Sequence, residues 1–527
     1  MKSFTLILAL CFYALLPIKA QSLKVKHQQV KHLPKLSSKK PKKDDGQLVL
    51  TLLQINDVYE IAPLQGGKLG GMARVAQLRA DLKAQNPNTY FVHAGDFVNP
   101  SVIGTLKHEG KSIKGRQMVE CMNAAGVDLV TFGNHEFDLK EEELLSRIEE
   151  SDFTWVAGNA RHRPAGGAAQ PFRHRNKDIP QYHIQTFRDA DGTSLRIGFI
   201  AVSIGSNAPK YVQFEEPLAK AQALYQQIKD SVDFVVALTH LDVADDLKLA
   251  QLLPELPLIL GGHDHYNMYH RQAKAAITKA DANAITAYVH QLHFDRKKRV
   301  LSIKTQLKSL DSLVGQEPKT KVLVDKWMEI AYRSFRAQGF EPTEQVMVLK
   351  NPLDARESVV RHKPTQIGDW CAQSIAAASP KAQGALLNTG SIRIDDVLVG
   401  EVTQFDIIRI LPFGGNIVEV EMKGSLLLQI LKIGLVDNVG KGGYFAVHQL
   451  EYNANTQQGK VAGQNIQPQQ TYRIAMPAFL LTGQESGLDF FLRSHPQIVQ
   501  VHENNPQYPL QEDLRKALME YMKNKIK

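Results

Sequence analysis

The chain has 527 residues, 43% of them hydrophobic and 22% charged, with a formal net charge of +9. That length exceeds one ordinary hydrophobic core and predicts two large domains, while the balanced composition excludes fibrous, collagen-like and wholly disordered classes. Three cysteines exclude a disulfide framework, and Cys121 and Cys371 lie in apolar helical patterns that read as core.

Residues 1–20 read as an export signal: Lys2 supplies charge, Phe4 to Leu16 run apolar, and Pro17-Ile18-Lys19 precedes the small Ala20. The apolar run is shorter than the roughly 20 residues that span hydrocarbon. Residues 21–46 carry Lys24, Lys26, Lys31, Lys35, Lys39, Lys40, Lys42 and Lys43 with almost nothing apolar, which predicts a basic, disordered leader. It is either a solvated spacer or an electrostatic contact to an anionic envelope surface. Over 47–315, apolar runs at 48–55, 90–93, 128–131, 195–202, 234–239 and 257–260 read as buried strands, separated by helical patterns such as 72–85 and 218–228. This alternation predicts a layered α/β domain whose polar residues collect where strands end. A helical stretch within 316–340, closing at Gly339 before Pro342, predicts an interdomain linker. Residues 341–527 read as a second, α+β domain with strands at 385–388, 417–422 and 471–476.

Five segments carry chemistry, each where a strand stops: Ile55-Asn56-Asp57-Val58-Tyr59, Ala94-Gly95-Asp96-Phe97, Phe132-Gly133-Asn134-His135-Glu136, Leu238-Thr239-His240 and Gly261-Gly262-His263-Asp264-His265. A lone Asp after Gly is ordinarily a turn residue, and a lone His is ordinarily core or surface. Five such segments in order are not accounted for that way. Carboxylate, amide and imidazole in this mixture suit a pair of Zn, Mn, Co or Fe ions. Glycine just before the polar residue lets the backbone turn sharply there.

The ordered set resembles the calcineurin-like metallophosphoesterase superfamily. The resemblance implies a four-layer α/β/β/α domain with Asp57, Asp96 and His265 on one divalent ion and Asp96, Asn134, His240 and His263 on the other. It also implies that His135 is catalytic and that Asp138 orients it. Tyr59 stands where that pattern has a metal-binding histidine. Three readings stay open: the phenol lies outside the donor set, it ligates as a phenolate, or it marks a weakened site.

In the second domain, Asn388-Thr389-Gly390-Ser391-Ile392-Arg393, Leu411-Pro412-Phe413-Gly414-Gly415 and the segment 479–485 resemble the nucleotide-binding segments of 5'-nucleotidases. The resemblance implies base stacking by Phe413 and Phe479, a base contact from Asn388 and a phosphate contact from Arg393. Glu485 takes the position of a ribose-binding Asp, and Arg361 and Lys363 compete for a second phosphate contact. The expected function is an exported, dinuclear-metal phosphoesterase that converts nucleotides to nucleoside and phosphate. The alternatives are a 2',3'-cyclic nucleotide phosphodiesterase, a UDP-sugar hydrolase or thiosulfate-ester hydrolase on the same scaffold, and a non-catalytic secreted nucleotide-binding protein. The expected partner is a nucleotide and not a nucleic-acid polymer, with domain rotation about the linker opening and closing the cleft. The sequence does not set the oligomeric state.

Overall fold

The computed structural model describes residues 22–35, 44–206, 208–503 and 505–525. The expected export signal 1–20 and residues 21 and 36–43 of the expected leader lie outside the described residues. Among the described residues, the first domain is built on two large sheets. One has seven strands in the order Lys24–Gln29, Val300–Ser309, Thr286–Asp295, Gln47–Ile55, Thr89–His93, Leu129–Thr131 and Thr154–Val156. The other has six, in the order Tyr182–Arg188, Ser194–Ser203, Phe234–His240, Leu258–Gly262, Ala275–Lys279 and Met268–Gln272.

The two sheets face each other across a buried layer that includes Leu50, Leu52, Val92, Ile197, Phe199, Val236 and Leu260. On the outer face of the first sheet, Leu53, Ile55 and Phe91 pack with Val75, Met118 and Leu144 from helices Met72–Gln85, Arg116–Ala125 and Glu141–Glu150. On the outer face of the second, Ile200, Ala237 and Ile259 pack with Leu224 and Leu249 from helices Pro217–Ile228 and Val243–Leu252. The central strands are therefore covered on both faces, which is why they read as continuous apolar runs. The layers are α/β/β/α, as the resemblance implied.

The expected disorder of 21–46 fails over Lys24–Gln29, which forms an edge strand parallel to Val300–Ser309, from Lys24 opposite Val300 to Gln29 opposite Thr305. The lysine count hides an alternation. Leu23 is buried and Val25 and His27 are half-buried, while Lys24 and Lys26 face solvent. Lysines on an edge strand also discourage pairing with another chain.

Helix Pro318–Ala337 links the domains. Glu317 caps it by accepting from the N–H groups of Lys319 and Thr320. Trp327, fully buried, donates from Nε1 to Glu120 at 2.9 Å on the first domain. Five and eight residues on, Tyr332 and Phe335 pack on Phe405 of the second domain, with ring centroids 5.6 and 6.2 Å apart. Beyond it lies a sheet with strands Phe445–His448, Gly384–Asn388, Thr471–Pro477, Ile417–Lys423 and Ile498–His502 in that order. Ile375 and Leu518, from helices Gln366–Ala378 and Leu514–Asn524, cover one face, and Leu427 and Ile430 from helix Gly424–Lys432 cover the other. Cys121 and Cys371 are free and buried, one in each domain.

Candidate metal centre and cleft

Parallel pairing sets Ile55 opposite His93 and His93 opposite Val130 in the first sheet, and His240 opposite Gly262 in the second. The turns after these strand ends therefore meet at one edge of the two-sheet core. Asp57 donates its backbone N–H to Gly95 O at 3.0 Å and accepts, through Oδ2, from the His263 N–H at 2.9 Å. The His135 N–H donates to Asp96 Oδ1 at 2.8 Å. Each donor is thus pinned by the backbone of a neighbouring turn.

Asp57, Asp96, His263 and His265 have φ values of 53, 62, 88 and 61°, in the left-handed region that L-residues seldom occupy. Strain of this kind persists only where surroundings over-determine it, and it gathers at functional sites. Gly95, at φ 86°, makes the turn before Asp96, and a Cβ added at Gly133 would overlap the Asp96 carboxylate. Buried Glu136 ties the two turns together, accepting from the N–H groups of Asp96, Phe97 and Gly133 at 2.8, 2.7 and 2.6 Å.

Asp57, Asp96 and His240 are fully buried, and each offers a donor atom within 4.8 Å of the others. His240 Nδ1 donates to Ala94 O at 2.7 Å, so Nε2 faces the carboxylates. That nitrogen lies 3.2 Å from Asp96 and 3.8 Å from Asp57 without an aligned hydrogen bond to either. A buried, unsatisfied imidazole nitrogen beside two buried carboxylates fits a divalent cation. Burial would raise the Asp57 pKa, but the His265 and His240 rings outweigh it and hold the carboxyl at about 2. Against the same burial, His240 and His135 depress Asp96 further.

Asn134 Oδ1 lies 3.1 Å from His263 Nδ1, and His265 Nε2 lies 3.3 Å from Asp57 Oδ1, which places these three expected donors beside the Asp57, Asp96 and His240 group. Tyr59 lies directly against this set. Its hydroxyl donates to Asp96 Oδ2 at 3.1 Å and sits 3.0 Å from His265 Nε2. Burial, followed by the Asp96 and Asp57 charges, raises its pKa well above 10 and keeps it a neutral donor.

His135 Nδ1 pairs with Asp138 Oδ2 at 2.7 Å, and Asp138 also accepts from Asn99 Nδ2 at 2.8 Å. Burial opposes charge on this ring. The Asp96 carboxylate and the Asp138 bond overcome it and lift the imidazole to about 9.

From the second domain, Asp395 reaches across to pair with His265 Nδ1, while its other oxygen accepts from the Glu357 N–H at 2.7 Å. Arg393 donates to Glu357 Oε1 at 3.0 Å, and Arg361 Nη2 binds the same oxygen. Arg361, but not Lys363, lines a cavity of about 400 Å³ with His135, His263 and His265. An adjoining cavity of about 430 Å³ is bounded by Tyr59 and Asp138 on one domain and by Arg393 and Phe413 on the other. Phe413 is 69% exposed. Asn388 and Glu485 form a separate pair, with Nδ2 donating to Oε2 at 2.6 Å. Phe479, on the turn Ala478–Leu481, lines neither cavity.

Sequence reasoning missed three contributors. Glu136 sits inside a motif it did identify, but its role of gathering backbone N–H groups has no sequence signature. Glu357 and Asp395 act across space, and only the position of Asp395 two residues past Arg393 hinted at the cleft.

Residues 50–267 match the family model for calcineurin-like phosphoesterases, and residues 345–492 match the 5'-nucleotidase carboxy-terminal domain. The chain is 25% identical over 495 residues to a 5'-nucleotidase of Vibrio cholerae, spanning 83% of this chain and 86% of that one. It is 23% identical to a 5'-nucleotidase of Bos taurus, covering 82% and 83%. The crystal structure of a 5'-nucleotidase precursor from Thermus thermophilus superposes with a TM-score of 0.65 at 21% identity, covering 90% of this chain and 96% of that one. A sulfate thiohydrolase from Thermus thermophilus has the same fold at 15% identity and a TM-score of 0.62, covering 93% and 95%.

Proposed function

Because this chain belongs to the 5'-nucleotidase family and is a metal-dependent phosphoester hydrolase, we propose that it hydrolyses nucleotide phosphate esters at a two-ion centre. Asp57, Asp96 and His265 would hold one ion, and Asp96, Asn134, His240 and His263 the other, a mixture that suits Zn, Mn, Co or Fe. Bound there, the ions supply Lewis acidity toward the phosphoryl oxygens and an activated water for in-line displacement.

The chain's own residues do the rest. His135, held through Nδ1 by Asp138, would in its protonated form offer Nε2–H to the phosphoryl group or the leaving oxygen. Arg361 and Arg393 present planar guanidinium donors to the phosphate. Phe413 offers a ring face to the base. Tyr59 donates to the carboxylate that both ions would share, which positions Asp96 without adding charge.

The observation that carries the reading is the cavity lined by Tyr59 and Asp138 from the first domain and by Arg393 and the exposed ring of Phe413 from the second. A nucleotide needs both a phosphate seat and a stacking face. The test is phosphate release by metal-replete protein from AMP, ADP, cyclic nucleotides, UDP-glucose and an aryl phosphate, with His135→Ala as control. Release from a nucleotide by the wild type alone supports the reading, whereas release from the aryl phosphate only removes the nucleotide from it. The apolar segment at 1–20 supports export, and a mature amino terminus at residue 21 is the expected result of sequencing the processed protein.

A further inference from the structure

The cleft wall opposite the donor cluster carries an unexpected charge arrangement. Arg361 and Arg393 both spend a donor on one oxygen of Glu357. The three side chains are only 15 to 21% exposed, and Glu357 faces the same cavity as His135, Asn134 and His263. The Nε atoms of both arginines are buried without a hydrogen-bond partner, so the guanidiniums keep unused donor capacity around this carboxylate. Asp395 fixes the backbone of Glu357 from below through the 2.7 Å bond to its N–H, so the carboxylate is anchored at the seat. Two guanidiniums and one carboxylate sum to a formal +1 where a bare arginine pair would present +2.

We propose that Glu357 is a specificity-determining residue that tunes this seat toward phosphodiester monoanions and against phosphomonoester dianions. The inference rests on the phosphoesterase reading above and deepens it. A phosphomonoester carries about −1.5 to −2 at neutral pH, whereas a diester carries one negative charge. The Glu357 charge therefore repels the monoester nearly twice as strongly, and about half of the guanidiniums' excess attraction for it is cancelled. For a diester, the water oxygen bonds phosphorus as one P–O bond breaks. The departing alcohol takes one water proton, the second proton goes to solvent, and the monoester product ends as a dianion. Glu357 then opposes the retention of that product as well as the entry of monoester substrates.

The test uses metal-replete full-length protein with bis(p-nitrophenyl) phosphate and p-nitrophenyl phosphate, which share a leaving group and differ in charge. Glu357→Gln keeps the side-chain shape and an acceptor oxygen while removing the charge. The kcat/KM ratio of diester to monoester is expected to fall about tenfold in the variant, and inorganic phosphate to inhibit about tenfold more tightly. Glu357→Ala should move both readouts in the same direction. An unchanged ratio with unchanged phosphate inhibition overturns the proposal while leaving the nucleotidase reading intact, as does an equal loss on both esters with weaker phosphate binding. Wild-type protein that cleaves neither these esters nor any nucleotide overturns both.

Discussion

In the first domain the donor cluster is closed. Asp57, Asp96 and His240 have no exposed surface, four donor positions hold left-handed backbone, and each turn is bonded to the next. In the second domain the cleft wall is open: Phe413 and Phe479 keep 69 and 43% of their surface, and the polar groups bond mainly to one another, Asn388 with Glu485 and the two arginines with Glu357. The first arrangement fixes geometry in advance, as electrostatic catalysis requires. The second holds contacts that a ligand can exchange for its own, so its changes should alter which substrate is used more than how fast the bond breaks.

The sharpest way to break that comparison is at His135. His135→Ala is expected to lower kcat by roughly a hundredfold to ten-thousandfold on every ester while leaving bound metal unchanged by elemental analysis. A variant that loses metal as well would make the histidine part of the closed cluster's architecture. Asp395 comes next because it crosses between the two regions. Asp395→Asn weakens the partner of His265 Nδ1, and such partners are worth about 10- to 100-fold in metal affinity. Chelator competition with Zn(II) or Mn(II) should show that loss. Unaltered affinity would mean that the second domain does not help to hold the first domain's ligand. Phe413→Ala should cost about 1 kcal/mol, near fivefold in KM, on a nucleotide and nothing on p-nitrophenyl phosphate, the low end for stacking because the ring is mostly exposed.

The same contrast explains what could be read before the fold was known. The donors were legible because each belongs to a short, punctuated motif at the end of an apolar run. Gly95 with Asp96 and Gly133 with Asn134 carry their backbone requirement in the sequence itself. Tyr59 was legible as a departure, but the direction of its hydroxyl toward Asp96 depended on packing. Glu357 and Asp395 were not legible, because their meaning comes from partners in another segment: His265 lies 130 positions before Asp395, and Arg393 lies 36 after Glu357. Composition misled at Lys24–Gln29, where one half-buried face sufficed to dock a lysine-rich strand.

That edge strand yields the smallest effect and a pH signature of its own. His27 Nε2 lies 3.0 Å from Lys274 O, and burial followed by the Arg271 charge lowers its pKa from 6.5 to about 4. His290, two strands away in the same sheet, is held at about 3 by burial and by His27. A depressed folded pKa means that docking favours the neutral ring. Its contribution is complete above about 6.5 and is lost as pH falls through about 4. Half-buried as it is, His27 should contribute only about 1 kcal/mol to this acid lability. His27→Gln keeps a donor for Lys274 O but cannot take up a proton. The protection of amides 24–29, taken relative to the intrinsic exchange rate at each pH, should therefore fall between pH 6.5 and 4 in the wild type and stay nearly flat in the variant. An equal loss of protection in both would move the acid-sensitive group to His290 and leave the docked strand indifferent to His27.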